Sequence, residues 1–306
     1  MKTGAKSIQN RILTSAAGAE DAGLPLARFL ARRLGLSRRQ ISSLKFRENG
    51  LRVNGKPART SLRLTQGDLI EVRLKTEGQI APQAALSAEA ISADLQILFE
   101  NEDVIIVNKP SGVVCHPSHG HYADSLASQV TAYLMKSGAP AALHVIGRLD
   151  KDTSGAMIYA KNAEAAARLS DPGAVRKTYY ALAEGRTDAE GLLDSPIAPD
   201  LAVPGKMKTD PDGKPAQTRY QTLACFDGCS LLRLRLTHGR THQIRVHMSD
   251  AGHALLGDPL YGSGTAGSTH AMLHCVEVRL ILPFTNEPIL IRAPFPADWP
   301  AAAAIS

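Results

Sequence analysis

The chain of 306 residues is poor in cysteine, with only Cys115, Cys225, Cys229 and Cys275, and has one tryptophan and 5% aromatic residues. Four thiols at irregular spacing in so long a chain argue against a disulfide framework and read as reduced, mostly buried side chains. Cys225 and Cys229 lack the tight paired spacing of structural zinc ligands, and His116, His119 and His121 stand far from them in sequence, so no metal is expected. The metalloprotease pattern His-Glu-x-x-His is absent as well. No run of about 18 apolar residues occurs, which excludes a transmembrane helix. Residues 1–18 carry charges without a continuous apolar stretch, so a secretory signal is not expected and the cytoplasm is the default address. What is present is 44% hydrophobic and 21% charged content, enough for one large core and a smaller unit.

The net charge of +6 is unevenly spread. Residues 24–75 hold 13 Lys or Arg against 3 acids, whereas the remainder holds 22 against 26. Leu24, Leu26, Phe29, Leu30, Leu34, Leu36, Ile41 and Leu44 fall at spacings for two amphipathic helices broken at Gly35-Leu36-Ser37, with Ser37 capping the second. Arg38 and Arg39 then open a first turn, where cations oppose the helix dipole and an anionic partner relieves the cost. An alternating strand runs from Leu51 into the Asn54-Gly55 turn, a hairpin signal, and residues 69–74 add another strand. This helix, helix and short-strand unit, taken as residues 20–75, resembles the S-four-type RNA-binding domain named from a ribosomal small-subunit protein. Arg38, Arg39 and Lys45 are its candidate phosphate contacts, since the charge imbalance is the footprint of phosphate neutralisation. A merely solvated basic face is the plainer alternative.

Residues 76–93 turn rich in Ala, Gln, Glu and Ser and read as a linker. Beyond it, strands are expected at 95–99, 104–107, 156–160, 179–183, 218–223, 230–236, 276–282 and 289–291, with an Ala-rich helix near 162–170. Many strands with few intervening helices predict an α+β fold with a mixed, largely antiparallel sheet over residues 94–300. Residues 262–267 satisfy Gly-x-Gly-x-x-Gly, but neither a preceding strand nor a following helix supports dinucleotide binding, so a flexible surface loop is expected there.

The stretch Gly147-Arg148-Leu149-Asp150-Lys151-Asp152-Thr153-Ser154-Gly155 sets an acid among turn-forming residues between apolar runs, as a loop presenting a carboxylate would. It resembles the catalytic motif of the RluA family of pseudouridine synthases. Other segments similar to that family follow in its order: Asn108-Lys109-Pro110-Ser111-Gly112 with Val113 to Pro117, Lys177-Thr178-Tyr179-Tyr180-Ala181-Leu182, Thr237 to His247, and Gly257-Asp258-Pro259-Leu260-Tyr261-Gly262. The resemblance covers roughly residues 95–298. One departure is Gly147, where the family usually has His; Gly there resembles the sister family acting on ribosomal RNA.

The resemblance implies conversion of uridine to pseudouridine in structured RNA, a redox-neutral isomerisation that calls for no cofactor. It implies Asp150 as the nucleophile or as the carboxylate stabilising cationic character at the anomeric carbon, in the manner of glycoside chemistry. It implies Arg245 as the cation paired with that acid, and Tyr179 as a face stacking on the flipped uracil, with its hydroxyl or a nearby water as a proton acceptor. Alternation along the strand sends Tyr180 to the opposite face, into packing. Arg148 resembles the family residue that helps occupy the gap left by the flipped base or contacts its phosphate, with an ion pair to Asp152 as the structural alternative. His242, His247 and His253 read as packed or RNA-facing histidines around strand and loop. Large-subunit ribosomal RNA is the favoured target, transfer RNA the alternative, and a monomer the default. A non-catalytic RNA-binding protein and a nucleoside glycosidase are competing readings, the latter wanting a second acid for which Asp152 is the near candidate.

Overall fold

The computed structural model describes residues 12–36, 38–44, 49–73, 94–117, 124–137, 143–262 and 270–299, and of Arg39 only the backbone. Ser37, Lys45, the interval 76–93 and the loop at 263–267 lie outside the described residues.

The basic N-terminal segment folds on a four-stranded antiparallel sheet. Strands β1 (Ile12–Ala16), β2 (Leu51–Val53), β3 (Lys56–Pro57) and β4 (Leu69–Arg73) lie in the order β1-β4-β2-β3, with helices α1 (Leu26–Arg33) and α2 (Arg38–Leu44) between β1 and β2. β1 precedes residue 20, where sequence reading began the unit. Asn54 and Gly55 take φ of 51° and 74°, the left-handed pair that a two-residue hairpin needs to match strand twist. Leu26, Phe29 and Leu30 of α1 pack with Ile41, Ile70 and Val72 into a core of their own. Removing each of these side chains from water contributes roughly 1.5–3 kcal/mol.

The remaining strands form one ten-stranded sheet: β5 (Ile97–Glu100), β6 (Val104–Lys109), β7 (His144–Ile146), β8 (Ser154–Ala160), β9 (Val175–Glu184), β10 (Glu190–Leu193), β13 (Thr218–Phe226), β14 (Cys229–Leu236), β15 (Leu273–Ile281) and β16 (Pro288–Arg292). Between β10 and β13 a small hairpin of β11 (Ile197–Pro199) and β12 (Met207–Thr209) stands apart. The order is β10-β13-β14-β9-β15-β8-β6-β5, with β16 on β15 and β7 on β8. Every pairing is antiparallel except β15 with β8, so the fold is mixed and largely antiparallel. Helices α3 (Leu126–Lys136), α4 (Ala163–Leu169) and α5 (Gln243–Asp250) are short. Neither α3 nor α5 was anticipated. No helix among the described residues is long and apolar enough to cross a membrane.

Both β6 and β8 are buried on each face, which explains their unbroken apolar runs. On β9 the neighbours Tyr179 and Tyr180 part as strand alternation requires. Tyr179 joins the main core, while Tyr180 packs with Leu182, Leu231, Met272 and Trp299 on the other face. The two cores meet at Phe284, in the β15–β16 turn, whose ring carries the Arg168 guanidinium at 4.3 Å. Gly35, from the α1–α2 connection, rests on that guanidinium so closely that a Cβ would come within 2.7 Å of it.

Inside the sheet, His274 of β15 accepts from the Ser154 hydroxyl at Nδ1 (2.8 Å) and donates from Nε2 to the Ala293 carbonyl (3.4 Å), the pattern of a neutral ring. Burial pushes its pKa down to about 4. Below its ordinary 6.5 the unfolded chain binds a proton that the folded chain refuses, so the stability is present above pH 6.5 and is lost as pH falls towards 4. The loss between pH 7 and pH 4 amounts to about 3 kcal/mol. Denaturant titrations at those two pH values should show His274→Gln losing less stability on acidification than the parent by that amount; equal acid slopes would refute the assignment.

Candidate active site

Asp150 sits on a loop whose backbone is tied down on both sides. From the segment after β6, the Cys115 thiol donates to the Leu149 carbonyl (3.0 Å), and the Lys109 ammonium and the Gly112 amide to the Lys151 carbonyl (2.8 and 2.9 Å). The Ser111 hydroxyl donates to the Asp152 carbonyl (2.8 Å). From β9, Lys177 Nζ donates to the Gly147 carbonyl (2.6 Å), and Arg148 Nη2 reaches Thr241 Oγ1 (3.2 Å). The segment resembling the family's first motif is thus a brace for the Asp150 loop.

Lys109 is fully buried and spends its three donors on the carbonyls of Pro110, Val113 and Lys151. Burial lowers its pKa to about 8, against the opposing charges of Cys115, Asp152 and Asp150. At the loop's end Gly155 has φ 110° and lies so near β15 that a Cβ would stand 2.3 Å from the Cys275 carbonyl oxygen. Only glycine fits both demands, so the last residue of the nonapeptide seats the loop on the sheet. Gly147 also has positive φ, at 60°, where a histidine would be strained.

The segment 237–247, read from sequence as strand and loop, instead forms a turn and helix α5. Its residues alternate polar and apolar, but Gln243, Arg245 and His247 are as buried as Ile244 and Val246. Gln243 and His247 both bond Thr218, and His247 also reaches the Ser195 carbonyl. Hydrogen-bonded polar groups can be buried at little net cost, so burial here does not follow hydropathy.

Arg245 does not take Asp150 as its bidentate partner. Its Nε and Nη2 each lie 2.7 Å from the Asp258 carboxylate, and Asp152 is 3.9 Å from Nη2. Asp258 is fully buried and also accepts from the amides of Leu260 and Tyr261 (3.0 and 3.1 Å). Burial alone would raise its pKa, but Arg245 and the two amides outweigh it and hold the carboxyl below its ordinary range. Arg245, though buried, is held above its usual pKa by Asp258 and then by Asp150 and Asp152. The Tyr261 ring lies 5.2 Å from the guanidinium, and its hydroxyl bonds His242 Nδ1 at 2.9 Å.

Asp150 is half-buried, and its charge favours the protonated forms of Lys109, Tyr179, His242 and Arg245. Burial foremost, and then Cys275 and Asp150, push the Tyr179 phenol well above its ordinary range. Asp150, Arg148 and Tyr179 line one cleft of about 1000 Å³, with Arg176, Lys177, Arg235, Arg240 and Arg279 around them. The alternative Arg148–Asp152 pair does not form. Arg38 lies far off in the chain, beside Arg28 on a concavity between α1 and α2. Sequence reading missed the work of Lys109 and Asp258; both stood in quoted segments, yet no spacing marks an ammonium for three carbonyls or an acid for an arginine 13 residues away. Among the described residues no three His, Cys, Asp or Glu gather as a metal site.

The model of the RNA pseudouridylate synthase family matches residues 103–250, spanning the Asp150 loop through Arg245. A Bacillus subtilis protein named uncharacterized RNA pseudouridine synthase YjbO is 36% identical over 87% of this chain and 93% of its own length. The chain belongs to the RNA pseudouridine synthase family. It is an isomerase. The synthase is also 34% identical to the Escherichia coli ribosomal large subunit pseudouridine synthase D, over 75% of this chain and 73% of that one. A solved structure, human RNA pseudouridylate synthase domain containing 1, superposes with a TM-score of 0.55 at 27% identity over 66% of this chain and 84% of its own.

In Asp258→Asn the Arg245 charge loses its buried counter-charge, which should cost about 3–5 kcal/mol in a denaturant melt. A loss under about 1 kcal/mol would show that the pair matters little. In Lys109→Met the bond to the Lys151 carbonyl and the two within the bracing segment are removed, and the rate should fall tenfold or more. Since the folded pKa of Lys109 is about 8 and the unfolded value 10.5, its contribution to stability is lowest below pH 8 and rises towards 10.5. The parent should therefore gain about 2 kcal/mol relative to Lys109→Met between pH 7.5 and 9.5.

Proposed function

We propose that the synthase isomerises uridine in large-subunit ribosomal RNA, in the cytoplasm, with Asp150 as nucleophile. The observation that carries this is the Asp150 carboxylate on a braced loop in a cleft rimmed by arginines and lysine, beside the buried Arg245. The N1–C1′ bond breaks, the uracil turns, C5 bonds to C1′, the C5 proton leaves and N1 takes up a proton, so the atoms balance and no electrons are exchanged. Asp150 adds to the substrate and is released when the C5 bond forms. Arg245, fixed by Asp258, sets a guanidinium charge next to the Asp150 carboxylate. Tyr179 presents its ring to the extruded base, and exposed Arg148 enters the gap left in the stack.

Residues 20–75 act as the RNA-binding unit, 76–93 as linker and 94–300 as the catalytic domain. Arg38, Arg39 and Lys45 contact phosphate, a reading favoured by Arg28 and Arg38 sharing a concavity of about 480 Å³ with Ser42 and Thr60. Ribosomal RNA is favoured over transfer RNA because relatives at 34–35% identity carry the name ribosomal large subunit pseudouridine synthase D.

Tritium release from RNA labelled at uridine C5 tests this, on ribosomal and transfer RNA separately. Release from ribosomal RNA that falls at least a thousandfold in Asp150→Ala is expected. Release from transfer RNA alone would overturn the substrate assignment, and free uracil among the products would identify a glycosidase instead.

A further inference from the structure

We propose a second RNA-binding surface on the catalytic sheet, an arginine band that grips the phosphate backbone flanking the target uridine. Strand register places its members. Arg219 of β13 lies opposite Arg235 of β14, Arg235 opposite Thr178 of β9, and Thr178 opposite Glu277 of β15, which faces Arg292 of β16. One row along, Arg176 of β9 stands opposite Arg279 of β15. Directly paired residues share a face, so these side chains lie on one side of five adjacent strands. Arg176, Arg219, Arg235, Arg279 and Arg292 are all exposed.

The arrangement is costly unless an anion covers it. Arg219–Arg235 and Arg176–Arg279 are like-charge cross-strand neighbours, which destabilise a sheet. Among the described residues the guanidinium groups of Arg176, Arg219 and Arg235 have no hydrogen-bond or ion-pair partner. Acids on the same face are few: Glu277, which engages Arg279 at 2.9 Å and Arg292 at 3.5 Å, Glu190 at the β10 edge, and Glu184 at the far end of β9. The far end of this face is closed by Phe295 and Trp299 over Tyr180, and the arginine end is left open.

The occupant follows from continuity and charge. Arg176, Arg235 and Arg279 also line the Asp150 cleft, although alternation puts them on the Tyr180 face of the sheet and Tyr179 on the other, so the band meets the cleft at the ends of β9, β14 and β15. At about 4.8 Å between strands, the four steps from Arg219 to Arg292 span roughly 19 Å. Phosphates recur every ~3.4 Å of axis along a stacked strand, so several fall within that reach. A partner with regular anionic spacing fits this surface. The inference rests on the synthase acting on structured RNA and adds how that RNA is held beyond the flipped base.

The test compares a minimal target stem-loop with the same stem-loop extended by one helical turn, measuring Kd by fluorescence anisotropy across a salt series. Arg219→Gln/Arg292→Gln, at the two ends of the band and outside the cleft, should weaken the extended RNA about tenfold near 0.15 M salt and reduce the log K against log salt slope by about 1.4–1.8. The minimal RNA should bind this variant and the parent alike. Arg219→Lys/Arg292→Lys, which keeps both charges, should retain parental affinity and slope. Parental affinity and slope for the extended RNA in the Gln variant would overturn the proposal, as would equal losses on both RNAs. If tritium release fails on ribosomal RNA while the slopes still differ, the surface stands and the substrate assignment falls.

Discussion

The synthase depends on how the carbonyls around Asp150 are occupied. Those of Gly147, Leu149, Lys151 and Asp152 each accept from a side chain or amide outside the loop, and the Asp150 carbonyl accepts from the Thr153 amide, so the peptide planes on either side of Asp150 cannot turn without breaking a bond. A carboxylate placed this way needs no reorganisation when substrate arrives, the condition under which electrostatic and nucleophilic catalysis are most effective. The expensive part of the brace is Lys109, an ammonium taken wholly out of water and tolerated because all its donors are used.

A second constraint is that Arg245 is not held by Asp150 in a bidentate pair. Asp258 takes that bidentate position, so Arg245 is fixed by one acid while its charge still acts on Asp150 and Asp152. The pair is strongly coupled because both partners are buried, and the two amide bonds to Asp258 supply the satisfaction that a buried ion pair needs. His242, strained at φ 55° ahead of α5, links the pair through Tyr261 to the cleft side of that helix.

Basic charge is divided between two units that meet at Phe284, Arg168 and Gly35. The N-terminal unit holds its cations on short helices. The catalytic sheet holds its own on outward-facing strand positions, where alternation alone decides which residues reach solvent. A substrate spanning both would be gripped on either side of the cleft.

Elements with regular hydropathy were legible in the chain: the two helices broken near Gly35, the Asn54-Gly55 hairpin, the buried strands β6 and β8, and the parting of Tyr179 from Tyr180. In these, the local period and the burial pattern agree. The nonapeptide and the segments around it were legible as chemistry because their residue types in order resemble one family. Helix α5 was not legible, because its polar residues are buried against Thr218 and Ser195, and hydropathy no longer tracks burial. Nor were the partners of Lys109 and Arg245, which come from 42 and 13 residues away. The sequence by itself determined which segments alternate and which stretches resemble the family. The tertiary structure decided which donor meets which acceptor, because buried hydrogen bonds and ion pairs join positions whose separation along the chain carries no periodic signal.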